Sequence, residues 1–309
     1  MKARIVISIL SLWLLASCDE ETKPKQELET LKTAKSNHQT KLLKEVKIGE
    51  AVEDPPEGLF SRVTYPSPQG DLEAYIAHPD LSKKSSAIIW LVGGFSNSIS
   101  SISWTPGPKE NDQSASVFWQ ENVVTMYPSL RGGNLNPGSI ETFYGEVDDV
   151  IAAAEYLRTL DYVDPNKIYL GGHSTGGTLA LLVAASTDIF AGVFSFGPIE
   201  NPLFYGQEYL NYNVSDQLEN RLRTPILWLG SIKTPTYVFE GTEGNIVSLR
   251  SLKNSNDNAQ LNFFPIPNHD HFSILQPISQ LIATKILDAS KPSQTFSIST
   301  NEILDIMNN

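Results

Sequence analysis

Short apolar runs and longer amphipathic stretches alternate along residues 59–290, and their periods predict strands and helices in turn. The first two runs alternate apolar and polar residues around Pro-Ser-Pro-Gln-Gly, which predicts an antiparallel hairpin at a sheet edge. Later runs are continuously apolar, as in strands that are buried on both faces. The predicted strands are 60–65, 72–77, 87–92, 122–127, 167–170, 190–196, 236–240 and 261–266, and the predicted helices are 146–160, 178–185, 246–253 and 272–287. This alternation predicts an α/β fold with a doubly wound, mostly parallel sheet.

The most informative stretch joins the fifth predicted strand to an Ala/Leu-rich helix through Gly172-His173-Ser174-Thr175-Gly176. A strand, Gly-x-Ser-x-Gly and a helix together predict a nucleophile elbow, in which the serine occupies a strained turn. Glycines are needed on either side because a Cβ there would collide with neighbouring backbone. Ser174 is therefore the candidate nucleophile, and His173 is interpreted as a packing residue.

The N-terminus has a different pattern from the rest of the chain. Lys2 and Arg4 precede an apolar run, 5–15, that is too short to span a bilayer and ends in Leu-Ala-Ser-Cys18. This ending resembles the lipobox of bacterial lipoproteins, which implies a signal peptide over 1–17 and lipidation of Cys18, the only cysteine in the sequence. An ordinary signal peptide with an incidental cysteine is the alternative. The resemblance implies a lipid-anchored protein of the bacterial cell envelope, on the extracytoplasmic (periplasmic) side.

Composition and charge limit the kinds of molecule that the protein can bind. The formal net charge is −12, and removal of the signal peptide with its two basic residues would make it about −14. Such a surface repels nucleic acid and anionic lipid headgroups, so membrane attachment is expected through the lipid alone. Residues 18–58 are rich in Lys and Glu and contain no Phe, Trp or Tyr, which predicts a flexible tether. Residues 291–309 form a C-terminal tail that is either a docking helix or loose.

From about 59 to 290 the chain resembles an α/β-hydrolase, specifically the catalytic domain of the prolyl oligopeptidase (S9-like) group. The resemblance is carried by Gly-Gly-His-Ser-Thr-Gly-Gly at 171–177, Tyr-Pro-Ser-Leu-Arg-Gly at 127–132, Gly-Glu-Val-Asp-Asp-Val at 145–150 and Asp-His-Phe at 270–272. It implies an α/β-hydrolase sheet with a small insertion after the sixth strand. The insertion, 198–223, either covers the active site or packs as an ordinary solvent-side segment. The β-propeller of many of these peptidases has no counterpart in the short segment before residue 59, which favours small substrates.

The resemblance also implies catalytic roles. His271 follows the last strand and is the expected general base, with His269 as its rival. The family places an aspartate three residues after the glycine that follows the seventh strand, but that position is Gly244. Glu243 is the predicted acid, and the alternatives are Asn245, Glu200 or a disabled triad.

The oxyanion hole is expected to use backbone N–H groups of Thr175 and of the Gly94-Phe95 turn. Arg131, Asp148 and Asp149 are interpreted as an ion-paired support beneath the site. His269-Asp270-His271 fits the hydrolase pattern better than a metal site, so neither a metal nor a cofactor is expected.

These residues predict a serine hydrolase that cleaves a small ester or a short peptide-like amide through an acyl-enzyme. The missing aspartate at Gly244 also allows a non-catalytic binding lipoprotein on the same scaffold. A third hypothesis, also an enzyme, is a hydrolase that cleaves carbon–carbon bonds or lactones.

Overall fold

A computed structural model describes residues 29–77, 84–289 and 296–308 of the chain. The predicted signal peptide and Cys18 lie outside these ranges. None of the helices in the described ranges has the length and apolar character needed to cross a bilayer.

The described residues form one sheet of eight strands in the order β1-β2-β4-β3-β5-β6-β7-β8. β1 pairs antiparallel with β2, and β2 pairs antiparallel with β4, while the other neighbours are parallel. The strands are β1 Phe60–Ser67, β2 Gly70–Ala77, β3 Ser85–Leu91, β4 Val124–Pro128, β5 Val163–His173, β6 Gly192–Phe196, β7 Thr236–Gly241 and β8 Leu261–Ile266. The predicted edge hairpin and mostly parallel sheet are confirmed.

Helices cover both faces of the sheet, as the doubly wound fold requires. The α-helices are α1 Leu31–Ser36, α2 Val117–Gln120, α3 Glu146–Arg158, α4 Thr175–Ser186, α5 Gln217–Arg221, α6 Ile246–Asn254, α7 Leu275–Asp288 and α8 Thr300–Met307. One apolar core includes the inner faces of α3, α4 and α6, and a second includes those of α2 and α7. α4 is buried along its whole length, which explains why its sequence is apolar all round.

The topology brings the candidate residues to one edge of the sheet. Because β3, β5, β6, β7 and β8 are parallel, the segments that follow their carboxyl ends lie side by side. These segments carry Gly94 after β3, Ser174 after β5, Gly197 after β6 and His271 after β8, with Glu240 near the end of β7. The insertion follows β6 and contains α5 and several 3-10 turns.

The segment from 29 to 58 is packed against the domain, which differs from the predicted tether. Leu31 is fully buried and Val52 nearly so. The backbone N–H groups of Ile48 and Gly49 donate to the carbonyls of Gly132 and Asn134 at 2.9 and 2.8 Å. We call residues 29–58 the arm. Its composition suggests a solvated segment because most of its Lys and Glu side chains face solvent. A few apolar residues and backbone amides nevertheless attach the arm to the domain.

The described part of the C-terminal tail is a docked helix. α8 begins with a capping box between Ser299 and Glu302, and Ile303 is buried. Lys285 on α7 forms an ion pair with Glu302. Of the two alternatives for the tail, the docking helix is therefore the observed one.

Candidate active site

Ser174 lies on a strained turn between β5 and α4. Its backbone angles are φ 57° and ψ −115°, a conformation that a residue with a side chain rarely adopts. Its N–H donates to the carbonyl of Phe196 at the end of β6, at 2.8 Å. A Cβ on Gly172 would lie 2.4 Å from the carbonyl oxygen of Gly176, and one on Gly176 would lie 2.2 Å from that of Leu91. The turn therefore has the geometry of a nucleophile elbow.

The turn after β3 lies directly beside Ser174. A Cβ on Gly93 would be 3.2 Å from the Ser174 Cβ, and the Thr175 hydroxyl donates to the Gly94 carbonyl at 2.6 Å. In a trans peptide the N–H points opposite to the C=O, so the Phe95 N–H points away from the Thr175 side chain. Within the described residues no protein group accepts the N–H of Gly94, Phe95 or Thr175, so all three predicted backbone donors are available.

His271 is paired with a buried carboxylate, and that carboxylate belongs to Glu240. The His271 Nδ1 is 2.9 Å from Glu240 Oε2, and the Glu240 side chain is fully buried. Glu240 Oε1 accepts the N–H of Gly241 at 2.8 Å, so both oxygens are used. Because an ionised carboxylate only accepts, Nδ1 donates and Nε2 has a free lone pair, as a general base needs. The prediction of Glu243 does not agree with this geometry, since its side chain is exposed and no hydrogen bond or ion pair joins it to His271.

His269 and Glu200, the other candidates for the base and the acid, do not take part in the pair between His271 and Glu240. His269 contacts its own turn, with Nδ1 2.8 Å from the Pro267 carbonyl. Glu200 is buried, but no hydrogen bond joins its carboxylate to His271. In the part of the chain that the structure describes, no group of three or more His, Cys, Asp or Glu residues is arranged to hold a metal ion.

An ion-paired support lies beneath the turn after β3. Arg131 donates to Asp149 at 2.8 and 2.9 Å and to Glu141 at 2.7 Å, and all three side chains are largely buried. The Asn97 side chain donates to the Arg131 carbonyl at 2.9 Å. The 127–132 loop thus fixes the loop that contains Gly94, which agrees with the predicted supporting role of Arg131 and Asp149. Asp148 does not belong to this support, because its carboxylate is paired with Lys35 at 3.1 Å.

The insertion after β6 covers the site with aromatic residues. The Tyr205 ring lies perpendicular to that of Phe95 at 5.2 Å and stacks on that of Phe143 at 5.8 Å. Tyr209 stacks on the outer side of Phe95 at 4.9 Å and is half exposed. Of the two readings of this segment, the structure supports the one that places it over the site.

A cleft of about 270 Å³ adjoins the turn after β3. Gly94, Phe95 and Thr175 line one side of it, and Ile48 and Glu50 of the packed arm line another. Its lining combines apolar side chains with polar groups, as small-molecule sites usually do. The arm is therefore part of the wall beside the elbow.

The comparisons with known proteins agree with this geometry. The profile of the prolyl oligopeptidase family matches residues 110–270, more than half of the chain. The chain belongs to the prolyl oligopeptidase family. It is a serine hydrolase. No curated protein sequence matches the chain.

Solved structures share the fold at low identity. A 2,6-dihydroxy-pseudo-oxynicotine hydrolase is 16% identical with a TM-score of 0.58, and the match covers 78% of this chain and 71% of that one. An esterase from Pyrobaculum calidifontis is 16% identical, covering 76% and 87%, with a TM-score of 0.53. An acylaminoacyl peptidase from Pyrococcus horikoshii is 16% identical, covering 79% of this chain, with a TM-score of 0.59. This chain spans only 43% of that peptidase.

The position at which the prolyl oligopeptidase family has its aspartate is filled by another carboxylate. A Cβ on Gly244 would lie 2.5 Å from Glu240 Oε1 and 2.9 Å from the His271 N. Glycine at 244 therefore leaves room for the Glu240 side chain, which reaches His271 from the strand itself. The signal in the sequence was a charged residue at the end of an otherwise buried strand, together with this glycine.

His173 supports His271 from below. It is almost completely buried, its ring centroid is 4.5 Å from that of His271, and its Nε2 donates to the His271 carbonyl at 3.2 Å. Burial, together with the nearby His271, lowers the pKa of His173 to about 3. His173 is therefore neutral in the folded protein at ordinary pH, and it packs and fixes the His271 backbone as predicted.

This neutral histidine makes stability depend on pH. Its pKa in the unfolded chain is the ordinary 6.5, so below that pH the unfolded chain binds a proton that the folded chain excludes. Stability is therefore lost as the pH falls from 6.5 towards 3. Between pH 7 and pH 5 we expect His173 to remove about 2 kcal/mol from the free energy of unfolding.

Urea unfolding of the parent and of His173→Asn at both pH values measures this contribution. The difference between the two pH values should be smaller in the variant by about 2 kcal/mol. Titrating groups that do not contact His173 are common to both proteins and cancel. Equal pH dependence in the two proteins would show that His173 is not held neutral by the fold.

Proposed function

We propose that this hydrolase cleaves a small ester or a short peptide-like amide through an acyl-enzyme on Ser174. The observation that carries the proposal is the hydrogen bond between His271 and the buried Glu240, next to the elbow. His271 Nε2 takes the Ser174 proton while Oγ attacks the substrate carbonyl carbon. Glu240 orients the imidazole and stabilises its charged form. The Thr175 and Gly94 N–H groups stabilise the oxyanion of the tetrahedral intermediate.

The second half of the reaction uses the same groups. His271 gives its proton to the leaving alcohol or amine as the tetrahedral intermediate collapses, and the acyl group stays on Ser174. Water then enters, His271 takes its proton, and the acid product leaves. These steps need no group from outside the chain other than water.

The cleft next to the elbow has room for a small part of a substrate. The cleft beside the elbow is about 270 Å³, which holds a small apolar group. Structures with this fold include an esterase and an acylaminoacyl peptidase, so both an ester and a short acyl-peptide are reasonable first substrates.

Hydrolysis by the full chain in detergent tests the proposal. The packed arm must be kept, because Leu31 and Ile48 contact the domain. We expect turnover of p-nitrophenyl acetate or of a short acyl-peptide, with a burst of one product molecule per chain if deacylation is slower. Ser174→Ala should abolish both the burst and turnover. A folded parent without turnover of either substrate and without a burst would contradict the proposal.

The alternative function, a binding protein without catalytic activity, was suggested by Gly244 at the position where an aspartate is expected. Glu240 now accounts for that absence, because it supplies the carboxylate and fills the space beside Gly244. No other observation favours a binding protein without turnover.

We also propose that Cys18 is lipidated and anchors the protein on the extracytoplasmic side of a bacterial membrane. The support is the short apolar segment followed by Leu-Ala-Ser-Cys. A single lipidated residue would place the hydrolase near the membrane without a spanning helix. Expression of the parent and of Cys18→Ser in a bacterium tests this: the parent should sediment with membranes and the variant should not. Equal distribution of the two would contradict it.

A further inference from the structure

The cleft beside the elbow contains a buried carboxylate that the mechanism above does not use. Glu146 is the first residue of α3, is only 2% exposed and lines the cleft. Its Oε1 accepts the backbone N–H groups of Glu141 at 2.7 Å and of Thr142 at 3.1 Å, and a side-chain N–H of Asn97 at 3.0 Å. Its Oε2 is also buried and has no hydrogen-bond partner among the described residues. The carboxylate is therefore fixed in orientation with one oxygen left unused.

A buried carboxylate oxygen without a partner destabilises a folded protein. An ionised carboxylate can accept hydrogen bonds on both oxygens, and burial removes the water that would otherwise donate them. The N-terminus of α3 and the three donors to Oε1 favour the charged form of Glu146. A donor from outside the chain that carries a positive charge would therefore satisfy Oε2 best.

The basic side chains of the described residues do not supply this donor. Arg131 uses its guanidinium for Asp149 and Glu141, and no ion pair joins it to Glu146. Among the residues that line the cleft, the charged ones are Glu50 and Glu146, and none is Lys, Arg or His. The cleft thus has negative charge that the described part of the chain leaves unpaired.

The arm places the second carboxylate on the solvent side of the cleft. The backbone bonds of Ile48 and Gly49 to the domain come directly before Glu50, whose side chain is exposed. Aliphatic side chains also line the cleft, among them Ile48, Ile99, Ile140 and Leu179. A ligand with an alkyl chain and a terminal cation matches this lining, because the chain can contact the aliphatic groups while the cation meets the carboxylates.

We propose that the cleft recognises a primary ammonium group on an alkyl chain of the substrate, which donates a hydrogen bond to Glu146 Oε2. Glu50 attracts the same cation at the entrance. The inference rests on the acyl-enzyme mechanism proposed above and names its substrate class, esters or amides with a short aminoalkyl group. A quaternary ammonium has no proton to donate, and an anion would meet two carboxylates, so both are poorer ligands.

Matched esters test the preference in the full chain. Ethyl 6-aminohexanoate and ethyl heptanoate differ only by ammonium or methyl at the end of the acyl chain, and 4-aminobutyl acetate and pentyl acetate differ in the same way on the alcohol side. In at least one pair we expect kcat/KM to be about 10- to 100-fold higher for the cationic ester, as for a hydrogen bond to a charged buried partner. A cleft without this role would favour the neutral chain, which is more apolar. Hydrolysis without a cationic preference in either pair would overturn the inference.

Glu146→Gln assigns the preference to the buried oxygen. The amide oxygen of glutamine can keep the three hydrogen bonds of Oε1, while its NH₂ group places a donor where the substrate ammonium needs an acceptor. The ratio of the two kcat/KM values should fall to about one or below. Because the ratio is taken within one protein, a general loss of activity cancels, and thermal unfolding shows whether the variant is folded. A folded variant that keeps the parental ratio would contradict the role of Glu146.

Two arm variants separate the entrance from the general surface charge. Glu50→Gln should lower the ratio a few-fold at low ionic strength and much less in about 1 M salt, because exposed charges are screened. Glu53→Gln removes the same charge from an exposed position on the same arm that does not line the cleft, and it should keep the parental ratio. Equal losses in the two variants would overturn the role of Glu50.

A binding measurement separates this inference from the proposed function. Calorimetry of Ser174→Ala with butylammonium and with 1-butanol needs no turnover, and butylammonium should bind about 10- to 100-fold more tightly unless Glu146→Gln is added. Esters hydrolysed without preference, together with equal binding of the two ligands, would overturn the ammonium site and leave the serine hydrolase mechanism standing. A parent that hydrolyses no ester while butylammonium binds as expected would contradict the acyl-enzyme proposal and leave the ammonium site standing.

Discussion

Glu240→Gln is expected to lower kcat for p-nitrophenyl acetate by about 10⁴-fold, the loss seen when the triad acid of a serine protease is replaced by its amide. Glu240 accepts the Nδ1–H of His271 at 2.9 Å from a fully buried position. Glutamine keeps the shape of the side chain, but it has no charge to stabilise the imidazolium, and its amide can favour the wrong tautomer. Substrate binding should change little, because Glu240 has no exposed surface.

Glu243→Gln is the decisive comparison, because the sequence alone favours that residue as the acid. Glu243 is exposed and three residues further along the chain, so its replacement should leave kcat within about twofold of the parent, as is usual for surface changes. Steady-state kinetics of the two variants are measured side by side. A large loss in Glu243→Gln with little loss in Glu240→Gln would reverse the assignment.

Gly197→Ala is expected to lower kcat by at least about 100-fold, because it displaces the base. A Cβ at this position would lie 2.2 Å from His271 Cε1 and 2.9 Å from Glu240 Oε2. Neither the imidazole nor the buried carboxylate can stay in place, and misplacement of a catalytic group by about 1 Å costs rates of this order. The φ of Gly197 is +59°, so alanine would also be strained there.

A matched control separates the collision from the strain. Gly58 has a φ of +78°, but a Cβ there would meet no atom within 4 Å. Gly58→Ala should therefore share the strain and keep parental kcat. Kinetics and thermal unfolding of both variants are compared. Equal activity of Gly197→Ala and the parent would mean that His271 does not occupy this position during catalysis.

The order of strands and helices was predictable because it depends on local periodicity. The continuously apolar run before Gly93 and the buried helix after Ser174 each carry their own signal, and the structure confirms both. The elbow was equally clear, since its glycines are required by sterics within a few residues.

The partner of His271 depends on geometry that sequence spacing does not contain. A side chain from the strand and one from the following loop can reach the same imidazole, and only the packing decides between them. Glu240 is fully buried with both oxygens bonded, whereas Glu243 points to solvent. Gly244 in the sequence agrees with two possibilities: the triad has no acid, or the acid comes from another position such as Glu240.

The packing of the arm against the domain is not predicted from the sequence for a related reason. Composition predicts a solvated segment when charged residues dominate, but contact requires only a few residues in the right places. Leu31 fills a position in the core, and Ile48 both bonds to the domain through its backbone and lines the cleft. Long-range hydrogen bonds of this kind leave no periodic signal in the sequence.

The most direct test of the serine mechanism is the mass of the full chain after reaction with a fluorophosphonate. The probe reacts preferentially with an activated serine, on which it forms a covalent bond. The account predicts addition of one probe per folded chain on the peptide that contains Ser174, no addition in Ser174→Ala, and a slower reaction in Glu240→Gln than in Glu243→Gln. A folded chain that takes up no probe, or takes it up on another residue, would contradict it.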